Sequence, residues 1–134
     1  MIPYYDMTEI HKPLKEEFMS EVEELLNTSD FVFGTEKFEE DFAEFTGAKY
    51  CVAVNSGTSA LAIALYSAGI RAGDKVTTVS HTFTATLSAI RYLGAYNEFV
   101  DIDEKTYCMD PEKLNVGFDN KVILPVHMYG NACD

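Results

Sequence analysis

Basic residues are scarce in this chain: ten Lys and Arg stand against twenty-two Asp and Glu in 134 residues, a net charge of −12. Nucleic acid and anionic membrane surfaces both reward clustered Lys and Arg, so the balance argues against either as a partner. Residues 1–50 hold thirteen acidic against four basic side chains, an excess that solvated helix faces account for. Cysteine is as sparse. Cys51, Cys108 and Cys133 are an odd number without close spacing, which indicates neither a disulfide framework nor a zinc knuckle and points to a reducing compartment. His11, His81 and His127 are scattered, and no His/Cys/Asp group has metal-ligand spacing. The first thirty residues carry charge throughout and contain no apolar run of signal-peptide or membrane-spanning length, so the expected location is the cytoplasm. Familiar motifs are missing too. There is no Gly-rich dinucleotide fingerprint, no P-loop Gly-Lys-Ser/Thr and no Gly-x-Ser-x-Gly elbow around Ser56, which removes the main support for nicotinamide, nucleoside-triphosphate and serine-nucleophile chemistry.

What is present suffices for one globular domain, at 47% hydrophobic residues. From Pro13 the apolar residues Leu14, Phe18, Val22, Leu25 and Leu26 recur at helical spacing, with Glu16, Glu17, Glu21, Glu23 and Glu24 between them. This predicts an amphipathic surface helix, ended by the turn-favouring Asn27-Thr28-Ser29-Asp30. A second helix is predicted behind the cap candidate Thr35, with Phe38, Phe42 and Phe45 as a stripe anchoring it to a core and Gly47 as its stop. Beyond Gly47 the rhythm changes. Short apolar runs at residues 50–54, 75–79, 96–100 and 122–126 alternate with helical segments at 59–68 and 83–93, and their spacing is too long for hairpins. Strands alternating with helices imply a parallel sheet with right-handed crossovers. The run Ala60-Leu61-Ala62-Ile63-Ala64-Leu65 is apolar nearly all round, which suits a helix covered on both sides.

The most informative segment is Asn55-Ser56-Gly57-Thr58-Ser59, a small polar turn between a predicted strand and a predicted helix. A helix that starts there presents unpaired backbone N–H groups at the positive end of its dipole, a site suited to an anion such as phosphate. A simple helix cap by Thr58 or Ser59, with no ligand, is the alternative. Two further segments, Ser80-His81-Thr82-Phe83 and His127-Met128-Tyr129-Gly130, fall at the carboxyl ends of predicted strands, where ligands collect in open α/β sheets. That convergence favours the ligand.

In this order, the segments Asn55-Ser56-Gly57-Thr58-Ser59-Ala60-Leu61, Gly73-Asp74-Lys75-Val76, Thr82-Phe83-Thr84-Ala85-Thr86, Gly94-Ala95, Val100-Asp101-Ile102-Asp103 and Pro125-Val126-His127-Met128-Tyr129-Gly130 resemble the DegT/DnrJ/StrS-type sugar aminotransferases. The earlier Phe33-Gly34, Phe38-Glu39 and Phe42-Ala43 fit the opening segment of that family, so the likeness covers essentially the whole chain. It implies an α/β fold, the first part of a type I aminotransferase large domain, with a mostly parallel sheet and flanking helices. Residues 1–34 would be an N-terminal helical segment and residues 35–134 the first part of the pyridoxal-phosphate-binding domain. The implied activity is amino transfer from glutamate or glutamine to a nucleotide-linked keto sugar, in cell-wall or polysaccharide biosynthesis, by a cytoplasmic homodimer. Pyridoxal 5'-phosphate is the implied cofactor. Thr58 and Ser59 match the positions that hold its phosphate, and Phe83 matches the aromatic that stacks on its ring.

The resemblance also implies what these 134 residues lack. The family's Schiff-base lysine, the aspartate at the pyridinium nitrogen and a serine near the phosphate are expected beyond Asp134, and none of the eight lysines present stands in a context for that role. An anion at a helix N-terminus gains at most about 2 kcal/mol and an aromatic stack about 0.5–1.5 kcal/mol, which together correspond to millimolar binding or weaker. This chain alone is therefore expected neither to hold the cofactor firmly nor to transaminate. The alternatives are a non-catalytic fragment or association module of the same fold, and a relative acting as a sugar dehydratase or aminohydroxybenzoate synthase.

Overall fold

The structure, a computed structural model, describes Tyr4 and residues 6–31, 34–114 and 120–134. It divides into two compact units, residues 1–53 and 54–134. The expectation at Phe33 lies outside the described residues.

In the first unit the predicted leading helix arrives in pieces. A short helix α1 (Thr8–His11) runs into a 3-10 turn (Lys12–Leu14) containing Pro13, and α2 (Lys15–Thr28) follows. Pro13 has no N–H to give to a helical ladder, so the tighter turn sits where it stands. Ser29 closes α2 in the left-handed conformation, φ 58°, as the polar Asn27–Asp30 run predicts. Helix α3 (Glu36–Thr46) stops at Gly47, whose N–H reaches the carbonyls of Ala43 and Glu44. Thr35 stands at the N-cap position, but its side chain makes no cap bond; Glu36 Oε2 instead accepts from the Gly34 N–H at 3.1 Å. The apolar stripes differ from expectation. Phe38 and Phe42 stack with centroids 5.6 Å apart, yet Phe18, Leu26, Phe38 and Phe45 are all exposed and Ala43 is the buried residue of α3. Periodicity identifies the face that gains from cover; it does not supply the covering layer.

The second unit is α/β. Helix α4 (Gly57–Ser67) leads to strand β1 (Lys75–Val79), then α5 (Thr84–Tyr92), β2 (Tyr96–Val100) and β3 (Asn120–Ile123). The three strands form one parallel sheet in the order β2-β1-β3, with Lys75 opposite Tyr96 and Val79 opposite Val100. β1 lies in the middle and is buried from Val76 to Val79. Thr86, Ala89 and Ile90, at helical spacing on α5, are buried. Val76, Ala89 and Ile90 form one core with Leu65, Ile70 and Ala95. Gly94 (φ 71°) turns the chain from α5 into β2, and a Cβ there would lie 3.0 Å from Cβ of Ala72, so any other residue would be strained in its backbone and crowded against Ala72.

Two strand expectations change. Residues 50–54 join no ladder among the described residues, although their exposure alternates, with Tyr50, Val52 and Val54 outward and Cys51 and Ala53 half-buried. Alternation fixes which side chains face which way, whereas a strand also needs a neighbour for its N–H and C=O groups. The last strand starts and stops earlier than 122–126. Leu124 still donates to the Thr77 carbonyl at 2.8 Å and its own carbonyl accepts from Thr78 Oγ1 at 2.8 Å, but Pro125 has no N–H and the ladder ends. Helix α4 is covered on one side only: Leu65 is buried while Ile63 and Tyr66 are exposed.

Candidate active site

Strand order places the site. Because β1 is flanked by β2 and β3, the loops leaving β1 and β3 are neighbours at one edge of the sheet, where open α/β folds bind ligands. After Val79 the chain turns through Ser80–Phe83; Thr82 N–H donates to the Ser80 carbonyl at 3.1 Å and the hydroxyls of Thr82 and Thr86 bond at 2.9 Å. Phe83 then stands at the N-cap of α5 in extended conformation (φ −70°, ψ 141°). Phe83 is 77% exposed, which leaves its side chain available to a ligand.

The start of α4 lies two residues earlier than expected, and the cap is Ser56. Its backbone is extended (φ −164°, ψ 156°) and its Oγ accepts from the Ser59 N–H at 3.2 Å, while the Ser56 carbonyl takes the Ala60 N–H at 3.0 Å. The two hydroxyls, Ser56 Oγ and Ser59 Oγ, are 3.1 Å apart. The N–H groups of Gly57 and Thr58 have no hydrogen-bond partner among the described residues. These are the free donors of the first turn, carrying the positive end of the helix dipole, and no acidic residue lies in that turn.

Thr58 and Phe83 line one groove of about 610 Å³, walled by Gly57, Ala60, Leu61 and Ala64 of α4 and by Ala85 and Thr86 of α5. This is within the size range of small-molecule sites. The structure therefore brings Thr58 and Phe83 together, with Gly57 beside them. Ser59 is half-buried and engaged with Ser56, outside the lining of that groove. A larger concavity of about 950 Å³ follows the opening helices of the first unit between Asp6 and Phe18 and gathers none of these residues.

The remaining candidates have structural partners. His127 Nδ1 accepts from the Cys133 N–H at 3.0 Å, and Cys133 Sγ donates to the Val126 carbonyl at 3.1 Å. Burial pushes the Cys133 thiol above its ordinary pKa, which keeps it protonated and a poor nucleophile. His81 Nε2 lies 3.4 Å from the Tyr129 hydroxyl. Among the described residues no three His, Cys, Asp or Glu side chains converge as a metal site, and no helix is long and apolar enough to cross a membrane. The residues that the sequence reading missed are Ser56 as cap and Gly57 as donor. The signal was the Ser-x-x-Ser spacing of 56 and 59, in which the first serine reaches the N–H three residues on.

The chain is similar to known proteins along its whole length. The chain is 37% identical over 137 residues to a pleiotropic regulatory protein of Geobacillus stearothermophilus, covering 99% of this chain and 37% of that protein. It is 34% identical over 138 residues to the UDP-2-acetamido-2-deoxy-3-oxo-D-glucuronate aminotransferase of Pseudomonas aeruginosa, covering all of this chain and 38% of that enzyme. The crystal structure of NtdA from Bacillus subtilis with bound cofactor PMP superposes with a TM-score of 0.92 at 32% identity, over 99% of this chain and 32% of NtdA. The chain thus spans under two-fifths of the length of these relatives. The sequence profile of one family matches residues 12–134, and on that match the chain belongs to the DegT/DnrJ/EryC1/StrS aminotransferase family.

Proposed function

We propose that these residues form the first part of a pyridoxal-phosphate-dependent aminotransferase that moves an amino group from glutamate or glutamine to a nucleotide-linked keto sugar. Relatives named as transaminases of UDP- and dTDP-linked sugars support the substrate class. In this reading residues 1–34 are a helical lead-in, residues 35–134 begin the cofactor domain, and the complete protein is a cytoplasmic homodimer.

The observation that carries the reading is the shared groove of Thr58 and Phe83, with the Gly57 and Thr58 amides free at its helix start. The residues fit the cofactor. Backbone N–H groups at a helix N-terminus suit its phosphate, the Ser59 hydroxyl stands one residue on, and the exposed ring of Phe83 suits a flat heteroaromatic. When bound, pyridoxal phosphate supplies the electron sink for amino transfer. The roles of this chain are to neutralise the phosphate through α4 and to hold the ring plane through Phe83. No lysine is among the lining residues of the groove, which supports the reading that these residues alone neither retain the cofactor covalently nor transaminate.

Titration of the 134-residue chain with pyridoxal phosphate tests this. Saturable binding in the millimolar range is expected, with no stable internal-aldimine absorption band, and Phe83→Ala should weaken it by about 2- to 10-fold, the worth of one aromatic stack. Unchanged affinity in Phe83→Ala would sink the ring-clamp role. A persistent aldimine band in the purified chain would sink the claim of inactivity.

A further inference from the structure

In the loops that follow the sheet strands, three rings meet: His81 after β1, Tyr107 between β2 and β3, and Tyr129 after β3. His81 lies 6.1 Å from Tyr107 and 6.0 Å from Tyr129 between ring centroids. The two tyrosines meet edge to face at 5.8 Å and 82°.

Both tyrosines stand in the left-handed backbone region, Tyr107 at φ 60° and Tyr129 at φ 56°. For a bulky L-residue that conformation is costly and rare, and such strain gathers at functional sites. Burial does not offset it, because Tyr107 is 46% and Tyr129 74% exposed. The surrounding loops enforce it. Tyr129 and Gly130 are the central residues of a turn closed by Asn131 N–H on the Met128 carbonyl at 2.9 Å, with the positive φ at both positions of a type I′ turn. Tyr107 ends a loop in which the Asp103 carboxylate accepts from the N–H groups of Lys105 at 2.9 Å and Thr106 at 2.8 Å. The two loops are tied together: Asn131 Nδ2 donates to the Thr106 carbonyl at 3.1 Å, and Cys108 Sγ to the Asn131 carbonyl at 3.4 Å. The ties aim both rings at His81.

We propose that His81, Tyr107 and Tyr129 recognise the hexose ring of the acceptor substrate. A hexose presents a face of C–H bonds and a rim of hydroxyls; exposed aromatic faces suit the first, and two phenol hydroxyls with an imidazole nitrogen suit the second. This inference rests on the sugar-aminotransferase reading and adds the residues that grip the acceptor. His81 and Phe83 share the loop after β1, and two residues of chain keep their Cα atoms within about 7 Å of each other.

The test is NMR of the 134-residue chain with labelled His, Tyr and Phe side chains, titrated separately with UDP-N-acetylglucosamine, UDP-glucuronate, dTDP-glucose, UMP and pyridoxal phosphate. At least one nucleotide sugar should give saturable shifts at His81, Tyr107 and Tyr129, and UMP none. Tyr107→Phe removes a hydroxyl with no hydrogen-bond partner among the described residues, so a purely structural role predicts no change; the proposal predicts about 3- to 10-fold weaker sugar binding, the net worth of one hydrogen bond. Tyr129→Phe should weaken it comparably. No sugar-dependent shift at these rings, equal shifts with UMP, or unaltered affinity in Tyr107→Phe overturns the proposal. Pyridoxal phosphate shifting Phe83 while no sugar touches the cluster defeats this inference alone; sugars binding without any response to pyridoxal phosphate defeats the cofactor reading alone.

Discussion

Replacing Ser56 by alanine separates the capping and ligand roles of the α4 start. Ser56 Oγ is the side-chain acceptor that satisfies a backbone donor of the first turn, taking the Ser59 N–H at 3.2 Å. Loss of a serine cap to alanine costs about 0.5–2 kcal/mol, typically about 1, whereas glycine at the same position costs a few tenths. With a urea slope of roughly 1–3 kcal/mol per M, Ser56→Ala should lower the unfolding midpoint by about 0.5 M and Ser56→Gly by much less. Alanine also frees the Ser59 N–H, so three donors instead of two then face an incoming anion. Pyridoxal phosphate at tenfold its dissociation constant stabilises the folded chain by about 1.4 kcal/mol, and the gain should be larger in Ser56→Ala than in the parent. Urea unfolding followed by circular dichroism, with and without the ligand, gives all four corners of the cycle. Equal midpoints for alanine and parent would refute the cap. A deficit that the ligand leaves unchanged would refute a phosphate on these donors.

Two other sites give sharp expectations. Gly94→Ala sets an L-side chain at φ 71° with its Cβ 3.0 Å from that of Ala72; a destabilisation of about 2 kcal/mol, near 8 °C in a thermal melt, is expected, and a shift below 1 °C would contradict the strain argument. The backbone N–H groups of Thr106 and then Lys105 hold the Asp103 carboxyl below the usual carboxylate range. A depressed folded pKa stabilises above the unfolded value of about 4 and loses that contribution as pH falls through the lower folded value. Asp103→Asn should therefore melt below the parent at pH 6, with the difference closing under pH 3. A gap that persists in acid would place the effect elsewhere.

Local chemistry made much of this structure legible. The bounds of β1 and β2 follow from apolar runs fenced by Gly73-Asp74 and Gly94-Ala95, and the stop at Gly47 from its composition alone. Residues that need a distant partner were harder to read. Residues 50–54 have the alternation of a strand but no ladder, and β3 ends early because Pro125 has no N–H, a breaker that an apolar window passes over. Phe18 and Phe38 lie on the faces their spacing indicates, while their exposure depends on cover that spacing does not encode. Of the groove, Thr58 is legible as part of a small polar turn before a helix and Phe83 as an aromatic just after a strand. The cap is not legible from sequence, because Thr58, Ser59 and Ser56 are all good capping residues and only the extended backbone of Ser56 decides among them. The ring cluster is not legible in the sequence because Tyr107 and Tyr129 are joined by loop ties over twenty residues apart.

The middle position of β1 sets an order of events during folding. That strand is synthesised before both of its neighbours, so its second edge stays bare until more than forty further residues have been made. Pairings this distant in sequence form slowly, and Tyr129 cannot reach His81 until the last of them has closed. Amide protons of β1 facing β3 should thus become protected late in refolding, in step with the appearance of the ring contacts.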